Sequence, residues 1–203
     1  MPKLVFFLGP AAAGKTTLAK AIVAKRPAAF LDMDTLSRPA AETIMRLSGL
    51  DPNDRDSPIY KQHCRDLGYR ITMDAALENV GIGVNTYVVG PFTKEIADPL
   101  WLEQELSRAG ASLSHIAVKA IYVYLPDEHA YRLRLAERGS VLDAWKLENW
   151  AAFSPSLERQ DIQWPLPASA KLYVDNSDIL SDEKLSMIEG FIYGGAEKDN
   201  LRS

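Results

Sequence analysis

Cysteine is nearly missing from this chain: Cys64 is the one thiol in 203 residues. No internal disulfide can close, which excludes the stapled frameworks of small secreted domains. Histidine is almost as scarce, and His63, His115 and His129 stand too far apart in sequence to form a metal-ligand spacing. Long hydrophobic runs are missing as well, because every apolar stretch is short and broken by charge, so no membrane span is expected. There is no basic excess. The 23 Lys and Arg residues face 27 Asp and Glu, a net charge of −4, which argues against a nucleic-acid partner. Internal repeats and low-complexity linkers are not found. Lys3, the apolar stretch from Leu4 to Leu8 and Ala11-Ala12-Ala13 imitate a secretory signal, but that core is too short and Lys15 interrupts soon after. A cytoplasmic location is the expectation. What is present, 47% hydrophobic and 25% charged residues, is enough for one domain over 1–203 with a real core.

Within that ordinary composition lies one specific motif, Gly9-Pro10-Ala11-Ala12-Ala13-Gly14-Lys15-Thr16, followed by Thr17. The pattern G-x-x-x-x-G-K-[ST] wraps backbone N–H groups around nucleotide phosphates. Its lysine reaches the β/γ-phosphates and its hydroxyl ligates Mg²⁺. Leu4-Val5-Phe6-Phe7-Leu8 precedes the motif and Leu18-Ala19-Lys20-Ala21-Ile22-Val23 follows it. Strand, glycine loop and helix together aim a helix N-terminus at an anion. The bland alternative, a small-residue turn that happens to contain Gly-Lys-Thr, has no use for that context. ATP and Mg²⁺ are the expected ligands. The guanine clamp Asn-Lys-x-Asp is not found, so nothing favours GTP.

The pattern predicts strands over 3–8, 28–31 (ending at Asp32), 85–89, 116–125 and 172–174. It predicts helices over 15–26, 39–47, 58–79, 98–109, 127–138, 143–152 and 182–193. In the long 58–79 helix, Ile59, Leu67, Ile71 and Ala75 are expected on one face. Residues 194–203 read as a frayed end. Such alternation implies an α/β fold, a three-layer sandwich with a central parallel sheet of about five strands. Ligands are expected at the carboxyl ends of those strands.

The acids indicate what becomes of a bound nucleotide. Motors and switches usually end an apolar strand with an acid that holds Mg²⁺. Here Val88-Val89-Gly90-Pro91 carries none, and Pro126 separates the 116–125 strand from Asp127 and Glu128. Asp127 is expected to cap the next helix. The second strand does end in acids, Asp32 and Asp34, on the same sheet edge as the phosphate loop. One is expected to serve the metal beside Thr16 and the other to orient an attacking hydroxyl. The alternative is that both merely cap the turn before a helix.

Gly9 to Thr17, Asp32-Met33-Asp34, the segment Val88 to Glu95 and the arginine-bearing stretch Leu125 to Trp150 together resemble the small P-loop kinases. That group includes shikimate, gluconate and adenylate-type kinases, and the chain looks closest to generic bacterial ATP-binding proteins of kinase type. The resemblance implies Asp32 for Mg²⁺, Asp34 for the acceptor, acceptor-binding helices over 38–80 and a helical lid over 127–155. It also implies that lid arginines reach the transferring phosphoryl group, with Arg134 and Arg138 sharing one helical face and Arg132 lying off it. A solvated face pairing with Glu128 and Glu137 is the alternative. Similar lids often read Arg-Asp-x-Trp-Lys, whereas here Leu142 precedes Asp143, so Arg138 or Lys146 would have to substitute. Tyr173 to Ser177 falls where similar kinases hold adenine. Trp145, Trp150 and Trp164 are candidates for ring stacking, with packing the more ordinary role. Arg46, Arg65 and Arg70 are available to meet an anionic acceptor. The expected function is an ATP- and Mg²⁺-dependent phosphotransferase acting on a hydroxyl or phosphate of a small molecule, as monomer or homodimer. Two other readings are a nucleotide-binding regulatory ATPase and a toxin-like kinase acting on a sugar nucleotide.

Overall fold

In the computed structural model, residues 1–194 are described, and the expected frayed end lies almost wholly outside them. The sheet is all parallel, in the order β2-β3-β1-β4-β5, with β1 Lys3–Leu8, β2 Ala29–Asp32, β3 Thr86–Val89, β4 Ala117–Tyr124 and β5 Lys171–Asp175. Each lies within about two residues of its expected place. β1 is central because it is apolar on both faces. Leu4, Phe6 and Leu8 enter one buried cluster, Val5 and Phe7 the other, and none is exposed. Burial of this kind contributes about 1.5–3 kcal/mol for each large side chain.

The helices cover both faces. α1 (Lys15–Lys25), α6 (Glu128–Arg138) and α9 (Asp182–Tyr193) pack on the Val5/Phe7 side. α4 (Asp66–Gly81) and α5 (Trp101–Arg108) pack on the Leu4/Phe6/Leu8 side. Trp164, fully buried, stacks on Trp101 with ring centroids 5.4 Å apart and donates Nε1–H to Glu95 O at 2.8 Å. It is a core residue, with no exposed face left to stack on a ligand ring.

Several boundaries depart from the expected ones. α2 spans Met33–Leu47 and encloses Pro39, so it begins six residues before the expected start. The reason is local: the Asp32 carboxylate caps it, accepting from the N–H groups of Asp34 and Thr35. The 58–79 helix is a short α3 (Pro58–Tyr60), a π-helical turn over Lys61–Arg65, and α4. The π turn admits an extra residue and rotates the face beyond it. Tyr69, Met73, Ala76, Leu77 and Val80 are buried, while Ile59 and Leu67 are exposed, so the expected apolar face was the wrong one. Gly68 allows close approach to α2, since a Cβ there would meet Ser37 Cβ at 3.0 Å. The 143–152 helix is divided into α7 (Ala144–Glu148) and α8 (Trp150–Phe153), with Asn149 off helical geometry between them.

This order creates a crevice. β1 leads outward through α1 to β2, whereas β3 crosses back to β4 on the other side of β1, and ligand sites form where such connections diverge. The loop after β1 is pressed into that point. Gly9 has φ +124°, and a Cβ there would lie 2.1 Å from Val123 O of β4. Gly49 also has positive φ (+71°) but faces open space. Gly49→Ala is therefore expected to cost about 1 kcal/mol for the left-handed backbone alone. Gly9→Ala should cost about 1–3 kcal/mol beyond that, the usual penalty of overpacking, in chemical denaturation of the two variants.

Candidate active site

Gly14 caps α1 with φ +95°, and Ala12 takes φ +62°, so the phosphate loop turns through left-handed backbone before the helix begins. A Cβ on Gly14 would meet Asn176 Nδ2 at 2.3 Å. That contact is not accidental packing. Asn176, buried just past β5, donates Nδ2–H to Ala13 O at 2.9 Å and ties the loop to the far side of the sheet. The sequence offered no sign of this, because the two residues are 163 positions apart.

Lys15 leaves the first turn of α1 and donates to Pro10 O at 2.7 Å. Burial pushes its ammonium down to about 8, against the opposing pull of the Asp34 and Asp32 carboxylates, and Arg138 adds to the depression. Thr16 Oγ1 donates to Asp32 Oδ2 at 2.8 Å, while Asp32 Oδ1 caps α2. Asp32 is therefore both the expected partner of Thr16 and the cap named as the alternative. A hydroxyl and a carboxylate oxygen so close together are hard donors that suit Mg²⁺, so the residues fit the implied metal. Asp34 does not continue the strand. It occupies the first turn of α2, exposed, within electrostatic reach of Lys15, Tyr60 and Tyr69.

All of these line one cleft of about 1150 Å³, from Gly9, Gly14, Lys15 and Thr16 to Asp32 and Asp34, and on to Arg55, Tyr60, Arg65 and Tyr69. Pro10, Ala11, Ala12 and Thr17 line it as well, while Ala13 is buried beneath. Arg134 and Arg138 of α6 both have partners within the chain. Arg134 Nη2 donates to Asn176 O at 2.5 Å and to Ser177 O at 3.3 Å, bracing the loop after β5. Arg138 donates Nε–H to Asp143 Oδ2 at 2.7 Å, and Lys146 Nζ donates to Asp143 Oδ1 at 3.0 Å. Asp143 is wholly buried and fixes both cations, the two residues expected to substitute for the arginine missing at Leu142. Arg132 lies over the Trp150 ring at 5.5 Å, outside the cleft lining. Trp150 itself donates to Glu128, a packing role.

Two expected acceptor residues are elsewhere. Arg46 pairs with Glu42, and Arg70 pairs with Glu105 and Asp74, both off the cleft. Arg65 is in it. Arg38, Arg55 and Lys61 also line it and were not singled out from the sequence, where nothing distinguished them from surface charge. His63, His115 and His129 are all exposed. Asp127 caps α6 as expected, accepting from Ala130 N at 2.9 Å.

A glycine-rich loop at the divergence point of a parallel sheet, with a Lys-Thr pair opening the following helix, defines a P-loop fold of the small-kinase type. Residues 4–159 match the family described as an AAA domain, and the chain belongs to that family. Solved structures with this fold include a sugar kinase from Janibacter (15% identical, TM-score 0.62, covering 96% of this chain and 97% of that one). A gluconokinase from Sinorhizobium meliloti (16%, TM-score 0.52, 95% and 90%) and a shikimate kinase from Acinetobacter baumannii (16%, TM-score 0.50, 98% and 97%) share it as well. No curated protein matches in sequence.

The lowered lysine gives a pH signature. A bound polyphosphate favours charged Lys15, so affinity should hold below about pH 8 and fall as pH rises past it. The fall should reach up to about tenfold per pH unit between the free and bound values. Calorimetric titration with ADP from pH 7 to 9.5 checks this, with Lys15→Arg losing the trend. Asn176→Ala should weaken ADP binding as well, by loosening the loop at Ala13.

Proposed function

We propose that this protein transfers the γ-phosphoryl group of ATP to a hydroxyl or phosphate of a small molecule. The observation that carries the reading is that Thr16, Asp32, Asp34 and Lys15 converge within one cleft that continues past Asp34 into a second, cation-lined half. A nucleotide in the phosphate loop would face an acceptor across Asp34.

In this reading, the loop N–H groups from Gly9 to Thr16 hold the phosphates, and Lys15 neutralises the β/γ oxygens. Mg²⁺, held by Thr16 and Asp32, would offset charge on the transferring group. Asp34, free of any cap bond, orients the acceptor and takes its proton. Arg138 and Lys146, braced on Asp143, stand on the lid side, where negative charge spreads during transfer. Arg134 holds the Asn176–Ser177 backbone in position, a supporting role beside its proposed catalytic one. The fold of small-molecule kinases supports the reading. No helix among the described residues is long and apolar enough to cross a membrane.

The test separates the two acids. Asparagine at position 32 keeps the cap oxygen but removes the charge, so Asp32→Asn should stay folded and need more Mg²⁺ for turnover. Asp34→Asn should bind ATP unchanged while transfer falls by a factor of about 10²–10⁴. Lys15→Ala should weaken ATP binding or abolish turnover in a folded protein. If both aspartate variants turn over normally, neither acid takes part in the transfer and the reading fails.

A further inference from the structure

The cleft has two arms, and they differ in chemistry. From the phosphate loop, one arm runs past Asp34 to Tyr60, Arg65 and Tyr69, a lining of hydroxyls and charge. The other runs past Asn176 to Asp178, Ile179 and Leu180, in the loop after β5. This second arm begins at the phosphate loop itself, since Asn176 donates to Ala13 O and stands where a Cβ on Gly14 would lie. A nucleotide with its phosphates in the loop and its γ-phosphoryl group facing Asp34 has to send its base along the second arm. Ile179 is 89% exposed, the highest value for a large hydrophobic side chain among the described residues, and Leu180 beside it is exposed as well. One exposed apolar side chain is ordinary, but two in succession on a cleft wall suit the face of a flat ring.

The polar groups of this arm are already engaged. Arg134 Nη2 donates to Asn176 O and Ser177 O, and Lys184 Nζ donates to Asp178 O and Asn176 Oδ1, both at 3.4 Å. Asn176 N–H donates to Tyr124 O at 2.9 Å, and Ser177 N–H donates to Asp175 Oδ1 at 2.9 Å. Adenine and guanine present nearly the same face and differ along one edge. Adenine has an amino group at C6, whereas guanine has a carbonyl there, with N1–H and a 2-amino group beside it. Telling them apart takes acceptors held against that edge. The three successive carbonyls from 176 to 178 are instead held by cations of α6 and α9. A loop N–H that reaches the base finds an acceptor on either purine, N1 of adenine or O6 of guanine, and does not discriminate. Asp178 could accept from guanine, but its carboxylate is exposed, and a solvated charge gains little from such a bond.

We infer that the phosphoryl donor is held by its phosphates and by the apolar face of its base against Ile179 and Leu180, with the base edge left to water, so that the donor class is purine nucleoside triphosphates in general and not ATP alone. This rests on the phosphotransferase reading above and widens its donor. Water satisfies the edges of adenine, guanine and hypoxanthine alike, whereas apolar contact depends on ring area, which the three share. Strong discrimination comes from buried polar groups that one ligand satisfies and another leaves unpaired, and the base arm presents none of these.

The experiment measures binding without turnover. The full chain, with Mg²⁺ present, is titrated calorimetrically with ADP, GDP, inosine diphosphate and inorganic pyrophosphate. The three purine nucleotides should bind within about fivefold of one another, because a site that reads the edge separates them by orders of magnitude. Each should bind more tightly than pyrophosphate, which fills the phosphate loop and lacks a base. Ile179→Ala combined with Leu180→Ala should weaken all three nucleotides together, by about fivefold or more, and leave pyrophosphate binding unchanged. Pyrophosphate thus reports that the loop of the variant is intact. Should the double variant lose pyrophosphate as well, Ile179→Ala alone repeats the comparison. A preference above fivefold for one base overturns the inference: for GDP it would make Asp178 the reader of the edge, and for ADP a carbonyl of the loop. Pyrophosphate binding as tightly as ADP, or nucleotide affinities that the substitutions leave unchanged or alter unequally, would overturn it too. A wild-type protein that binds neither ADP nor pyrophosphate refutes the phosphotransferase reading instead.

Discussion

Asp32 is the joint on which the site depends. One carboxylate oxygen takes the Thr16 hydroxyl and the other takes the first N–H groups of α2. A single buried side chain thereby fixes the phosphate loop against β2 and sets where α2 begins. The two functions share one cause. The cap ends the strand at Asp32, and ending the strand there swings Asp34 onto the helix, where it projects into the cleft. Had β2 continued, Asp34 would have remained a sheet residue. The cap and the contact with Thr16, which look like rivals when only the sequence is considered, use different oxygens and coexist.

The rest of the site is held by contacts between distant parts of the chain. The phosphate loop touches β4 through Gly9 and the end of β5 through Asn176. Arg134 of α6 then secures the Asn176 backbone, and Asp143 gathers Arg138 and Lys146 from either side of the turn after α6. Every strand but β4 gives its carboxyl-terminal residues or the loop just beyond them to one edge: Gly9 after β1, Asp32 of β2, Gly90 after β3, Asn176 after β5. Parallel order makes this possible, since all carboxyl ends emerge together. Polar groups at the edge are satisfied by one another. Arg55 Nη2 and Gln160 Oε1 are the buried exceptions among the described residues that line the cleft.

Local features of the chain were the legible ones. Alternation and punctuation located all five strands, because each is a short apolar run with a polar or turn residue close behind it. The phosphate loop was legible because its chemistry is contiguous, eight residues with one purpose. Asp127 was legible as a cap because a cap acts within three residues. The start of α2 was missed because Pro39 reads as a boundary, yet a proline seven residues in is tolerated once Asp32 caps the end. The buried face of α4 was missed because the π turn before it shifts the face, and nothing in residues 61–65 announces that turn. Arg46 and Arg70 looked equivalent to Arg65 in sequence. Only their partners, Glu42, Asp74 and Glu105, remove them from the cleft, and such pairings are tertiary facts.

In the proposed reaction, ATP's terminal phosphoryl group ends on a small molecule rather than on water. The fate of the phosphate tests this directly. The protein is incubated with γ-labelled ATP, Mg²⁺ and a small-molecule extract of bacterial cells, and labelled products are resolved by anion-exchange chromatography. Label should accumulate in a new, discrete phosphorylated small molecule, and that peak should be lost with Lys15→Ala. Label recovered only as inorganic phosphate, at a rate indifferent to the extract, would contradict the account and identify a nucleotide hydrolase in its place.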